Sequence, residues 1–163
     1  MTILQKMQIY AERQQLRLGA SLGFGAHGNV FVAQRNIELS KSAVKVHNDE
    51  RAYRRERDAY ERLRENEIRA IDGFNVPQLV MTDDELLVIE MTIVETPFLL
   101  DFGGAYLDRP PEFPEEVWAE WRERKQEEFG SNWPLVESVL ATLKGYGIYL
   151  LDVHPRNITF GQP

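Results

Sequence analysis

The chain has 163 residues, 43% of them hydrophobic and 28% charged, with a formal net charge of −7 and no cysteine. This is globular composition and the length of one domain, or of one domain with a small addition. It excludes disulfide scaffolds, thiol catalysis and thiolate zinc sites, and the acidic balance gives no general attraction to nucleic acid or anionic membrane.

Thr2 to Gln15 carries Ile3, Leu4, Met7 and Tyr10 at helical spacing and predicts an amphipathic helix. It has no secretory apolar core, and no later stretch approaches membrane-spanning length, so a cytoplasmic protein is expected. Leu16 to Gly25 and Asn29 to Ala33 predict two strands around a glycine-rich turn, and Ser42 to His47 a third. Asp49 to Glu67 predicts a helix capped by Asp49, with most of its charges forming a solvated face. Pro77 to Met81 and Leu86 to Thr92 predict two more strands around a turn at Thr82-Asp83-Asp84-Glu85. Phe98 to Pro114 reads as loop, and as the boundary between a β-rich part, residues 1–97, and a helical part, residues 98–163. Pro114 opens a helix to about Glu128. Pro134 opens another to about Lys144, which Gly145 and Gly147 end. Ile148 to Gln162 is expected to form a strand, a loop and a strand.

Four constellations carry chemistry. Gly23-Phe24-Gly25-Ala26-His27-Gly28-Asn29-Val30 fits G-x-G-x-x-G-x-V, in which glycines let backbone N–H groups approach phosphates. The plain alternative is a hairpin turn. Because Val30 to Ala33 is β-prone, the motif joins strand to strand, which disfavours a dinucleotide fold. Ser42-Ala43-Val44-Lys45-Val46 sets a lysine in an apolar strand, where it is either a phosphate ligand or an edge residue with its amine in water. Tyr53, Glu56, Tyr60 and Leu63 share one helix face, so Glu56 is the charged member of an apolar stripe. A buried carboxylate needs a partner. Lys45 is the candidate, and Arg57 or Arg62 the alternative. Finally, Asp152 and Asn157 stand five residues apart in Leu151-Asp152-Val153-His154-Pro155-Arg156-Asn157.

In this order the motifs resemble the protein-kinase-like superfamily, over about residues 16 to 160. The resemblance implies an α+β fold: a five-stranded antiparallel N-lobe sheet with one main helix, then a minimal helical C-lobe lacking the activation segment and later helices. It implies ATP and Mg²⁺ as cofactors, and transfer of the γ-phosphate to a hydroxyl in the manner of a serine/threonine protein kinase. Asp152 would be the catalytic base or orienting group, Lys45 would hold the phosphates, Glu56 would fix Lys45, and Asn157 would bind the metal. Gly23, Gly25, Gly28 and Val30 would cover the nucleotide, and Met91 and Thr92, at the end of the fifth strand, would contact the adenine. The alternative is a pseudokinase-like module that binds nucleotide or a partner protein without turnover. A weaker third reading is small-molecule kinase chemistry.

The departures are specific. Leu150 and Leu151 stand where the family has His and Arg, and His154 where protein kinases often have lysine. The metal-binding Asp-Phe-Gly would follow Asn157, where Ile158 to Pro163 does not contain it. A literal Asp101-Phe102-Gly103 occurs before both late helices and is expected to be a loop feature rather than the family's metal site, while Glu90, Asp101 or another carboxylate stays open as a replacement for the missing ligand. Leu135, Val136, Val139, Leu140 and Leu143 form an apolar helix face that something must cover, which raises homodimer formation or partner docking through Leu135–Leu143. His27 and His47 are expected in loops or at the surface. No nucleic-acid or membrane partner is expected.

Overall fold

The computed structural model describes residues 1–25, 27–35 and 40–161. Ala26 of the glycine-rich turn and Gln162 of the predicted tail lie outside the described residues. Helix α1 (Ile3–Gln14) begins at a reciprocal cap. The Thr2 hydroxyl accepts from Gln5 N–H at 3.2 Å, and the Gln5 side chain accepts from Thr2 N–H at 2.8 Å. Strands β1 (Leu16–Gly25), β2 (Gly28–Arg35) and β3 (Lys41–His47) follow. A Cβ at Gly28 would collide with the Val46 carbonyl oxygen, so only glycine lets β2 leave the turn this close to β3. Asp49 caps α2 (Glu50–Glu65) by accepting from Ala52 N–H at 2.8 Å.

After α2 come the short hairpin β4 (Ala70–Ile71) and β5 (Phe74–Asn75), then β6 (Leu79–Asp83) and β7 (Val88–Thr92). The stretch expected as loop contains two small strands, β8 (Phe98–Leu99) and β9 (Ala105–Leu107). Helices α3 (Glu115–Phe129) and α4 (Trp133–Gly145) are joined by a single turn of 3₁₀ helix, and β10 (Ile148–Leu150) and β11 (Ile158–Thr159) complete the chain. Strands β8 and β9 escape a local reading because their partners are late in the chain: β8 pairs with β11 and β9 with β10, both antiparallel.

The fold is α+β, built on a five-stranded antiparallel sheet in the order β1-β2-β3-β7-β6. Its register sorts the side chains. Val30, Lys45 and Ile89 lie opposite one another on one face, and Val44 and Glu90 on the other. On the Val44 face α1 packs Met7, Tyr10 and Ala11 against Val44, Val46 and Val88. On the Lys45 face α2 lays Tyr53, Ala59, Tyr60 and Leu63 into a core shared with Ala43, Ile89 and Met91. That core continues through Phe102, Ala105 and the late helices. Each large side chain so buried contributes about 1.5–3 kcal/mol.

The α4 face singled out for a partner is mostly covered by the chain itself. Val136, Val139 and Leu143 are fully buried with Ile71, Phe129 and Ile148, and Leu135 alone of that set is exposed. Among the described residues no helix is long and apolar enough to cross a membrane.

Candidate functional site

Strand alternation puts Lys45 and His47 on the same face of β3, where the buried stripe of α2 presents Glu56. Lys45 Nζ lies 2.7 Å from Glu56 Oε2 and 3.1 Å from Asp101 Oδ1. His47 Nε2 lies 2.7 Å from the same Glu56 oxygen, and His47 Nδ1 lies 3.3 Å from the Leu87 carbonyl. Lys45 is 5% exposed, Glu56 1% and His47 0%, so water takes almost no part in these bonds. The alternative partners are engaged elsewhere: Arg57 pairs with Asp58 and Asp84, and Arg62 with Asp108.

Burial alone would lift the Glu56 carboxyl, but the Lys45 charge and the His47 hydrogen bond outweigh it and hold its pKa down to about 2. Burial likewise pushes the Lys45 ammonium down, and Glu56 and then Asp101 outweigh it, leaving the amine above its ordinary value. Both groups are therefore charged at neutral pH. His47, expected in a loop or at the surface, is instead enclosed between α2 and the turn before β7.

Asp101, read from the sequence as a loop feature, does lie in a turn, and its carboxylate sits on Lys45. The β8–β11 ladder brings this about: Ile158 pairs with Leu99, and Leu100 N–H donates to the Asn157 carbonyl at 2.7 Å. Asp101 follows at once, in the left-handed region with φ 65°. Its Oδ1 also accepts from Gly103 N–H at 3.1 Å, which orients the carboxylate locally. Phe102 is fully buried and packs edge-on against Tyr60 at 5.2 Å, anchoring the turn to α2.

The same turn meets the second loop. A Cβ at Gly104 would lie 2.8 Å from the Asp152 Cβ, so the two backbones approach as closely as glycine allows. The Asp152 side chain is half exposed. Its neighbours hold it: Val153 is fully buried, and Trp121 Nε1 donates to the Leu151 carbonyl at 3.1 Å. From the glycine-rich turn, His27 Nε2 reaches to 3.5 Å from Asp152 Oδ2. Asn157 closes its turn by donating its backbone N–H to the His154 carbonyl at 2.8 Å. Its side chain is 9% exposed, and its Nδ2 has no hydrogen-bond partner.

The remaining predicted contacts are placed unevenly. Gly23 and Gly25 lie in β1, Gly28 and Val30 in β2, and Phe24 at the turn is 78% exposed. Val30 pairs opposite Lys45 and borders the main core. Met91 is buried in the sheet interior, and the Thr92 N–H already donates to the Gln78 carbonyl at 2.9 Å. A base could not take that N–H without breaking the β6–β7 connection. Glu90 is on the opposite face, where Tyr10, Arg35 and Ser42 satisfy it, so it cannot reach this cluster.

Among the described residues no three His, Asp or Glu side chains gather as a metal site. The backbone bond between Leu100 and Asn157 sets the chain just before Asp101 beside the Asp152–Asn157 loop. Comparison with models of known protein families and with curated proteins finds no match.

Proposed function

We propose that the chain binds Mg·ATP in the cleft beside the glycine-rich turn and transfers the γ-phosphate to a hydroxyl, the serine/threonine protein kinase-like class being the one its motifs resemble. The observation that carries this reading is the meeting of Lys45, Glu56 and Asp101, drawn from three distant parts of the chain. Lys45 has three N–H donors. Glu56 and Asp101 engage two of them, and the third remains for a phosphate oxygen. Backbone N–H groups of the glycine-rich turn would cover the phosphates.

Asp101 and Asn157 would hold Mg²⁺, which when bound neutralises charge on the phosphate oxygens. In this reading Asp101 supplies the carboxylate beside the Lys45 amine. Asp152, half exposed and backed against Gly104, would orient the incoming hydroxyl and accept its proton. Trp121 and Val153 would keep its loop from shifting.

A second reading, a nucleotide-binding module without turnover, is favoured by the His27 ring standing 3.5 Å from one oxygen of the carboxylate that would take the proton. The test is direct. Mg·ATP should raise the melting temperature, and Lys45→Ala should abolish the rise. Phosphate transfer that disappears in Asp152→Ala supports the enzyme. Binding without turnover supports the module, and no binding overturns both.

A further inference from the structure

We propose that His47 is a positioning residue, a second cation on Glu56 that leaves Lys45 free to take a phosphate oxygen. This deepens the nucleotide reading above and rests on it.

The charge on the ring is inferred from what its two nitrogens face, the Leu87 carbonyl being one that also accepts the His47 backbone N–H at 2.9 Å. Both nitrogens face oxygen: Leu87 O at 3.3 Å and Glu56 Oε2 at 2.7 Å. A neutral imidazole has one donor and one lone pair. In either tautomer it would set a lone pair against an acceptor in a site that is 0% exposed. Only the doubly protonated ring donates to both. The other escape, a protonated Glu56 donating to His47, is closed by Lys45, whose ammonium lies 2.7 Å from the same oxygen.

The charges then balance. Lys45 and His47 are two cations, and Glu56 and Asp101 two carboxylates. If His47 loses its proton the cluster carries a net negative charge, and Lys45 is held more tightly by its carboxylates. With the proton present, Glu56 keeps a cation of its own when Lys45 turns toward phosphate. The groups facing His47 are few. Lys45 faces it from β3, and Glu56 and the Tyr53 ring, edge-on at 5.5 Å, from α2. Tyr53 in turn carries Arg57 over its face and donates to Asp84. From α1, Lys6 Nζ donates to the His47 carbonyl at 3.4 Å.

The sign follows. A protonated His47 makes the cleft more positive, so Mg·ATP binds more tightly on the acid side and more weakly as pH rises. His47→Gln keeps a donor to Glu56 but no charge. It should fold, bind Mg·ATP about tenfold more weakly at neutral pH, and lose the part of the pH dependence that the wild type has beyond the ligand's own titration. His47→Gln binding as the wild type does, with the same pH profile, overturns the proposal. A nucleotide-independent measurement separates this from the reading of the cleft. Heteronuclear NMR of the His47 ring at neutral pH should find both nitrogens protonated, and a neutral ring would overturn the proposal. If the wild type binds no Mg·ATP at all, the phosphate reading fails, and His47's role toward Lys45 fails with it, even where the ring proves doubly protonated.

Discussion

The Leu100 N–H donates to the Asn157 carbonyl at 2.7 Å, and through that bond Asp101 comes to the Asp152–Asn157 loop although two helices separate them in the chain. The bond extends the β8–β11 ladder by one step. In chain order both late helices separate Asp101 from that loop. The ladder makes chain order irrelevant, because an antiparallel pair brings together whatever follows one strand and precedes the other.

Asp101→Asn tests the role of that carboxylate. The amide keeps the shape, and its oxygen can still accept from Gly103 N–H, so the turn should survive. What is lost is one negative charge beside Lys45 and one strong oxygen ligand. The expected outcome is a drop of tenfold or more, on the order of 1.4 kcal/mol, in the Mg²⁺-dependent part of ATP binding. Binding of ATP without Mg²⁺ should hold or improve, since repulsion between Asp101 and phosphate is removed. Calorimetric titration with and without Mg²⁺ separates the two, and an equal fall in both would argue against metal ligation by Asp101.

Glu56 sets the response to acid. Its carboxyl is held at about 2 in the folded chain against an ordinary value of 4.5. Its folded value is depressed, so the stability it supplies is fully present above the unfolded value and is lost as pH falls from about 4.5 toward 2. The difference corresponds to roughly 3 kcal/mol. Glu56→Gln leaves Lys45 and His47 facing a neutral amide in a buried site, a change that typically costs about 3–5 kcal/mol. Denaturant melts should therefore find the variant markedly less stable at pH 7. They should also find the gap between the two proteins closing as the pH is lowered through that window. A gap that stays constant down to pH 2 would mean that Glu56 is not the titrating group.

Much of this arrangement is legible in the sequence, for identifiable reasons. The strands of the large sheet announce themselves by β-branched runs and turn residues, and α2 by its stripe, in which Glu56 is conspicuous as the one charge. Asp152 and Asn157 are legible because they share one loop. His47 is not: it ends a strand beside Asn48, and nothing local says that Leu87 will close over it. The contact of Asp101 with Lys45 is hidden for a different reason. Phe98-Leu99 and Ile158-Thr159 are two-residue strands with no periodicity to detect, and their pairing is a property of the folded chain.

Under the proposed phosphotransfer, Gly104→Ala should lower turnover more than Mg·ATP binding. The added methyl would lie 2.8 Å from the Asp152 Cβ, too close for two carbons, and the loop would have to retreat by several tenths of an ångström. Overpacking of this kind typically costs about 1–3 kcal/mol. Lys45 and Glu56 sit on other elements, and Asp101, in the same turn as Gly104, is held by its bonds to Lys45 and to Gly103 N–H. Phosphate transfer should thus fall by about tenfold or more, through displacement of the acceptor carboxylate, while the Mg·ATP dissociation constant changes little. A parallel loss of affinity would place Asp152 in nucleotide binding instead.

Trp121→Phe isolates one hydrogen bond. The ring packs edge-on against Trp118 and Trp133, both at 6.0 Å, and phenylalanine retains most of that contact. It loses the Nε1 donor to the Leu151 carbonyl, the bond that ties α3 to the residue before Asp152. A bond of this kind contributes about 0.5–1.5 kcal/mol, so thermal stability should fall only modestly. Asp152 should suffer more, because one side of its loop is then held by Val153 alone. The expected signature is reduced turnover at unchanged Mg·ATP affinity, together with faster amide hydrogen exchange at 151–154 and none at α2. Exchange that quickens across α3 and α4 as well would assign Trp121 to the helical core rather than to the loop.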